Sequence, residues 1–314
     1  MEGTVGPEVE LAGSQDFAAD PRNDAALVWL NGELVARREA KVSIFDAGFV
    51  LGDGVWEGLR LHKGALLFLD AHLDRLFEGA RAIGLDIGMS RAELTAVLVD
   101  TLAANAMTDG VHVRLMVTRG IKSTINQDPR NALGRPTIAI TAEHKSPSPE
   151  VAGAGLKLAT VSVRCSPASM FDMRLNSHSR LNLITALLEA IEAGADEALM
   201  LDPDGRVSSC NATNFFFVRD GEVFTSSGDY CFNGVTRGQV IELCRRQGPT
   251  VHLGAFDPAE ARSADEAFVT GTLGGLTPVR QIDEAVLPNC PGPVTRRLCA
   301  LYEALKDSDA SAAP

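Results

Sequence analysis

The chain has 314 residues, of which 45% are hydrophobic, enough for two domains that each bury a sizeable core. The formal net charge of −12 argues against a nucleic-acid partner, because a polyphosphate backbone would be repelled. No apolar run reaches the roughly 20 residues that a membrane helix needs, and residues 1–20 lack a basic, apolar leader. We therefore expect a cytoplasmic globular protein with no membrane partner.

The six cysteines predict neither a disulfide framework nor a metal site. They are scattered, without a Cys-x-x-Cys pair or a histidine at ligand spacing. Isolated reduced thiols are typical of cytosolic proteins. Cys210 is interpreted as a packed small residue, since no activating partner is evident in the sequence.

The order of elements predicts an α/β (α+β) fold with two domains. Residues 1–24 show no periodicity and indicate a flexible arm, and residues 307–314 indicate a loose tail. A small first domain is expected over residues 25–150 and a larger second domain over residues 159–306. The linker between them is predicted at residues 151–158, because Pro and Gly residues occur in this segment and just before it.

The first domain combines strands with two helices. One helix has Asp70 as its predicted N-cap and Gly84 at its end, and the other has a capping box formed by Ser90 and Glu93. The glycine-rich loop over residues 46–54 suggests close approach of the backbone to a ligand. Strands are predicted at 26–30, 33–35, 41–45, 55–61, 111–118 and 136–141.

Two polar stretches interrupt the second domain, where a site is usually built. The run from Asp172 to Asn182 precedes a helix predicted over residues 183–193, and the run from Ser208 to Asn214 separates two apolar strands. Strands are predicted at 156–163, 197–201, 215–218 and 267–270.

Two segments are suited to bind an anion. Residues 233–239 lead into a helix with Thr236 and Gln239 at capping-box spacing, so that free N–H groups would point at a phosphate, although a plain helix start explains the pattern equally. Residues 271–275 form a small-residue turn able to make a backbone nest. With Arg75, both segments would surround one monophosphate.

These residues carry a family resemblance. The segments that carry it are residues 51–60, 72–76, 233–237, 270–272 and 292–296. Together they resemble the class IV (fold type IV) pyridoxal-phosphate aminotransferases, which include branched-chain and D-amino acid aminotransferases and aminodeoxychorismate lyase. The resemblance implies a cofactor cleft between the two domains, a homodimer, and a small amino or keto acid as substrate.

The resemblance also implies roles for individual residues. The residues expected to bind the cofactor phosphate are Arg75, Gly234, Val235, Thr236, Gly271 and Thr272. The residues expected near the substrate are Arg60, Arg119, Arg174, Arg180 and Asn211. For Arg119, Arg174 and Arg180, a solvated or structural role is an equally open interpretation.

The sequence departs from the family at two positions near the chemistry. Asn176 stands where the family places its Schiff-base lysine, and a carboxamide cannot act as that nucleophile. Ser209 stands at the position of the glutamate that keeps the pyridine nitrogen protonated, so the ring would be a weaker electron sink. His178 is the candidate replacement acid or base, with a backbone-bonded histidine as the alternative.

Three hypotheses remain open. The protein binds pyridoxal phosphate or pyridoxamine phosphate without a covalent link; or it uses no cofactor and performs lyase, hydrolase or isomerase chemistry on the same scaffold; or it is a non-catalytic ligand-binding homologue. In each case ordinary lysine-dependent transamination is not expected.

Overall fold

The structure is a computed structural model that describes residues 13–312. These residues form two mixed α/β units, each built on its own sheet. This confirms the predicted fold class. Among these residues no helix has both the length and the apolar character needed to cross a membrane.

The first unit is a six-stranded sheet in the order β2-β1-β6-β5-β3-β4, with antiparallel neighbours. Its strands are β1 (Leu27–Leu30), β2 (Glu33–Ala36), β3 (Gly54–His62), β4 (Ala65–Leu66), β5 (Val111–Thr118) and β6 (Thr137–His144). Its helices are α1 (Ala47–Leu51), α2 (Leu69–Ala82) and α3 (Arg91–Ala104). Alternate residues of β5 are apolar and buried, and they share one core with the apolar faces of α2 and α3.

The second unit is a nine-stranded sheet in the order β12-β11-β10-β13-β14-β7-β8-β9, with β15 paired to β14. Its strands are β7 (Leu156–Arg164), β8 (Glu197–Leu201), β9 (Val207–Cys210), β10 (Asn214–Arg219), β11 (Glu222–Ser226), β12 (Val251–Gly254), β13 (Glu266–Gly271), β14 (Gly275–Ile282) and β15 (Ala285–Val286). Its helices are α4 (Pro149–Ala154), α5 (Leu181–Glu192), α6 (Val235–Gln247), α7 (Pro258–Arg262) and α8 (Pro293–Ala312).

Strand β10 shows why this sheet is buried on both faces. Phe216 packs in one core with Val240 of α6 and Leu298 of α8, whereas Phe215 and Phe217 pack in another core on the opposite face. A strand covered on both faces has a continuous apolar sequence, as this one does.

The last helix ties the two units together. Residues 307–312, predicted as tail, continue α8 to Ala312; residues 313–314 lie outside the described part. Asp307 accepts hydrogen bonds from His62 and Lys63 at 2.7 Å each, and Asp309 accepts one from the backbone N–H of Phe68 at 2.8 Å. Because Phe68 is thereby fixed at the cap, α2 begins at Leu69, and the prediction of Asp70 as the N-cap is wrong.

Other local differences concern the predicted arm, one strand and the linker. Residues 41–45 form no strand, since their alternating side chains find no core: Ile44 is 64% exposed. Ser14 is buried and its N–H donates to Glu197, so this part of the predicted arm lies on the second unit, while residues 1–12 are not described. The predicted linker contains most of α4.

Candidate active site

A cavity of about 330 Å³ lies between the two units. The first unit contributes Trp56, Arg75 and Arg114, and the second contributes the segments that follow β7, β9 and β13 and precede α6. The units meet here because the N–H of Trp56 on β3 donates to the carbonyl of Asn176 at 3.0 Å. The indole N–H of Trp56 donates to the carbonyl of Ser177 at 3.0 Å, which fixes the ring at the cavity wall.

The start of α6 forms one side of a cup that fits a phosphate. The helix begins at Val235 with Gly234 as N-cap, and no side chain caps it, so the predicted capping box of Thr236 and Gln239 is wrong. Instead, Asn214 Oδ1 of β10 accepts a hydrogen bond from the Gly234 N–H at 3.1 Å. A Cβ at Gly234 would lie 2.5 Å from the same oxygen, so a larger residue there would displace the Asn214 carboxamide or the helix start. The first-turn N–H groups point along the helix axis toward the cavity, as an anion needs.

Arg75 faces the cup from the first unit. Its guanidinium donates to the Glu57 carboxylate through Nε at 2.8 Å and Nη2 at 2.7 Å, and to the Asn233 carbonyl at 3.1 Å. Glu57 is fully buried and also accepts a hydrogen bond from His72 Nδ1 at 2.7 Å. Burial alone would raise the pKa of Glu57, but the hydrogen bonds from Arg75 and His72 outweigh it and leave the pKa below its usual value. An ionised Glu57 therefore fixes the orientation of Arg75.

The turn between β13 and β14 closes the cup. Thr270, Gly271 and Thr272 all line the cavity. The Thr270 hydroxyl is buried and has no hydrogen-bond partner among residues 13–312, which is costly unless a ligand supplies one. Together with α6 and Arg75, this turn offers the donors that a phosphate monoester needs.

Asn176 is buried at the centre of the cavity wall, and both ends of its carboxamide are engaged. Its Nδ2 donates to the Trp56 carbonyl at 2.6 Å, and its Oδ1 accepts a hydrogen bond from Arg180 Nη2. None of the described residues that line the cavity is a lysine. The described lining of the cavity therefore provides no amine for covalent attachment of an aldehyde.

Ser209 and Asn211 line the same cavity but use their polar atoms for contacts within the protein. The Ser209 hydroxyl donates to the Thr213 carbonyl at 2.8 Å and accepts from Asn214 Nδ2 at 3.1 Å. Asn211 Oδ1 accepts the N–H of Ala198 at 2.8 Å. No carboxylate is found among the lining residues within the described range.

Four residues named from the sequence lie away from this cavity. His178 is half-buried behind β3, near Gly54, and its pKa is lowered chiefly by burial. Arg60 lines a smaller neighbouring cavity, where it donates to the Lys145 carbonyl. Arg119 is held by Asp53 and by main-chain carbonyls, and the partly exposed Arg174 pairs with Asp172.

Sequence reasoning missed several lining residues: Gln15, Trp56, His112, Arg114 and Phe232. The signal for two of them is the alternation of β5, because His112 and Arg114 occupy the face opposite to its apolar residues. Arg114 stacks on the Trp56 ring, with its guanidinium carbon 3.7 Å from the ring centroid. Burial lowers the pKa of His112 to about 3, so its imidazole is neutral at physiological pH.

Comparison with known proteins agrees with this fold. A model of the class IV amino-transferase family matches residues 54–282, and the chain belongs to that family. A putative branched-chain-amino-acid aminotransferase of Methanocaldococcus jannaschii is 36% identical over 274 residues, covering 86% of this chain and 93% of the relative.

Branched-chain-amino-acid aminotransferase-like protein 2 of Arabidopsis thaliana is 40% identical over 288 residues, 91% of this chain. The chain spans about half the length of that relative, 51%. Among solved structures, the branched-chain aminotransferase of the thermophilic archaeon Thermoproteus uzoniensis with norvaline superposes with a TM-score of 0.81 at 31% identity, covering 90% of this chain and 95% of the other.

Proposed function

We propose that this protein binds pyridoxal phosphate or pyridoxamine phosphate without a covalent link and acts on a small amino or keto acid. The observation that carries the proposal is that Arg75, the uncapped start of α6 and the Thr270 hydroxyl, which has no partner among residues 13–312, all line one cavity whose described lining contains no lysine. The relatives are named as branched-chain or D-alanine aminotransferases, which supports an amino or keto acid as substrate.

The residues of the cup would hold the phosphate group. Arg75 supplies a fixed positive charge, the first turn of α6 supplies N–H groups from Val235 and Thr236, and Gly271 and Thr272 close the opposite side. When bound, the pyridine ring of the cofactor would withdraw electrons from an attached substrate carbon. Ser209 would not keep the ring nitrogen cationic, since a neutral hydroxyl provides no negative charge to stabilise it.

No catalytic role is proposed for His178, because its ring does not line the cavity. His112 does line it, but burial lowers its pKa to about 3, which makes its imidazole too weak a base for us to propose that it accepts a proton. We propose substrate contacts for Arg180 and none for Arg60, Arg119 or Arg174, which lie elsewhere.

The proposal is tested by titrating the purified full-length chain with pyridoxal phosphate and pyridoxamine phosphate and measuring heat and absorbance. Saturable binding to one site, without a borohydride-stable mass increase, is expected. Arg75→Met should weaken binding by roughly tenfold or more, because a charged hydrogen-bond donor to the phosphate is lost. The matched control Arg174→Met removes an exposed guanidinium outside the cavity and should leave binding unchanged. Absence of binding by the unmodified chain would refute the proposal.

A second candidate function is cofactor-independent lyase, hydrolase or isomerase chemistry, with the cup holding a phosphate or carboxylate of the substrate itself. The engaged polar atoms of Asn176 and Ser209 favour it, because neither side chain is available to a bound cofactor ring. A turnover screen of amino and keto acids with and without added pyridoxal phosphate separates the two. If no substrate is consumed in either case, a non-catalytic ligand-binding role is supported instead.

We also propose that the protein is a homodimer. Large apolar side chains are exposed on two surface segments: Phe49 of α1 is 69% exposed, and Leu181 of α5 is 76% exposed. Such exposure is costly in a monomer and typical of subunit interfaces. Light scattering should give twice the mass of the chain, and Leu181→Glu should shift the population toward monomer; a monomeric unmodified chain would refute this.

A further inference from the structure

Arg180 is a partly buried cation whose hydrogen bonds are all to uncharged groups. Its Nη2 donates to the carbonyl of Leu175 at 3.3 Å and to Oδ1 of Asn176, and its Nε is buried with no partner among residues 13–312. Burial, with the positive charges of Arg75 and Arg114 nearby, lowers the pKa of Arg180 to about 10. A cation withdrawn from water is unfavourable unless an anion offsets it, so this arrangement favours an anionic ligand.

Asn176 determines where this guanidinium points. Because its Nδ2 is bonded to the Trp56 carbonyl, its Oδ1 must face Arg180. The backbone of Asn176 is fixed as well, since its carbonyl accepts the Trp56 N–H at 3.0 Å. With every polar atom of its side chain engaged, Asn176 is a positioning residue and not a group that reacts with substrate.

Apolar side chains line the same cavity as Arg180. They are Met173, Leu183, Ile184, Leu187 and Met200. The guanidinium carbon of Arg180 lies 5.6 Å from the ring centroids of Trp56 and of Phe232, so aromatic rings also border the cation. A ligand that satisfies these surroundings combines one anionic group with an apolar body.

We propose that Arg180, positioned by Asn176, binds the carboxylate of an acid substrate whose apolar body packs against this wall. This inference rests on the proposed function, because it specifies which class of acid binds in the same cavity. Arg75 is already paired with Glu57 and serves the phosphate cup, whereas the unpartnered Nε of Arg180 is available for the carboxylate.

The test compares 4-methylvalerate with its uncharged primary amide, which has nearly the same shape. The affinity of the full-length chain for each is measured by calorimetry, with and without excess pyridoxamine phosphate. Arg180→Met should weaken binding of 4-methylvalerate by about tenfold or more and binding of the amide by much less, because the amide offers a neutral acceptor and no charge. Arg180→Lys should give an intermediate loss, because the charge remains but the bond to Asn176 is not reproduced.

Two further variants separate positioning from folding. Asn176→Asp should weaken 4-methylvalerate binding by a similar factor, since the new carboxylate would itself pair with Arg180. Arg174→Met is the matched control, and its affinity for the acid should stay within about twofold of the unmodified chain. Melting temperatures, measured in parallel, should show each variant folded.

The proposal is overturned if Arg180→Met binds 4-methylvalerate within twofold of the unmodified chain, or if the acid and the amide lose affinity equally. It is also overturned if the unmodified chain does not distinguish the acid from the amide. Failure of the chain to bind pyridoxamine phosphate would refute the proposed function alone, because the acid is also measured without that compound.

Discussion

Glu57 offers the sharpest test of how the phosphate cup is built. It accepts two hydrogen bonds from Arg75 and one from His72, all between 2.7 and 2.8 Å, in a fully buried position. In Glu57→Gln the amide nitrogen cannot accept, so at least one of these contacts becomes a donor facing a donor. Breaking a buried charged pair in this way costs roughly 3–5 kcal/mol.

The expected consequence is a loss of both stability and affinity. For a chain of this size, that cost corresponds to a drop in melting temperature of about 5–8 °C. The affinity for pyridoxamine phosphate should fall about tenfold, because Arg75 loses the partner that orients it. Thermal melts followed by circular dichroism, and calorimetric titration, measure the two effects.

The pH dependence of the same variant gives an independent check. Since the folded-state pKa of Glu57 is below its unfolded value, its contribution to stability is present above the unfolded pKa and is lost as the pH falls through the folded pKa. The stability difference between the variant and the unmodified chain should therefore shrink in acid. The control Asp172→Asn breaks a partly exposed pair and should cost at most about 1 kcal/mol. A Glu57→Gln variant that melts like the control would refute the reasoning.

Two other predictions concern the cup and the cavity wall. Gly234→Ala places a Cβ 2.5 Å from Asn214 Oδ1, so either the Asn214 carboxamide or the first turn of α6 must shift. Binding of pyridoxamine phosphate should weaken by about tenfold in a titration, because the contact between Asn214 and the Gly234 N–H is disturbed. Unchanged affinity would contradict the role of that turn. His112 has a folded-state pKa of about 3 against an ordinary value of 6.5, so the unfolded chain takes up a proton first and stability falls as the pH drops below 6.5. Between pH 8 and pH 5 the free energy of unfolding should therefore fall by about 2 kcal/mol because of His112. In His112→Gln this part of the pH dependence should be absent, as measured by denaturant melts at the two pH values. An equal pH dependence in both proteins would contradict the prediction.

Local patterns predicted the elements whose signals lie within a few residues. Strand β5 begins and ends where its alternation does, and the capping box of Ser90 and Glu93 starts α3 as expected. Residues 41–45 have the same alternation but no partner strand, so a pattern without tertiary pairing failed there. The helix start at α6 was predicted correctly, but the acceptor for the Gly234 N–H could not be, because it is Asn214, 20 residues earlier in the chain.

In the candidate site too, features set by local sequence could be predicted and features set by long-range contacts could not. The cup residues could be named from glycine-rich turns and a helix start, which are local features. The contacts of Asn176 with Trp56 span 120 residues, and the distance of His178 from the cavity depends on how that segment docks on β3. Arg180 was named as one of several arginines, and only its place in the cavity wall and its unpartnered Nε distinguish it from Arg119 and Arg174.

We expect the residue type at position 176 to be coupled electrostatically to Arg180. An ammonium group at residue 176 would meet the guanidinium that now donates to Asn176 Oδ1, with Arg75 and Arg114 nearby. Repulsion would lower the pKa of the new lysine but would also force the two cations apart. We therefore expect Asn176→Lys alone to form little borohydride-stable adduct with pyridoxal phosphate, and Asn176→Lys with Arg180→Met to form several times more, as measured by intact mass. Equal adduct in both variants would show that Arg180 places no constraint on residue 176, and the coupling between the two positions would have to be abandoned.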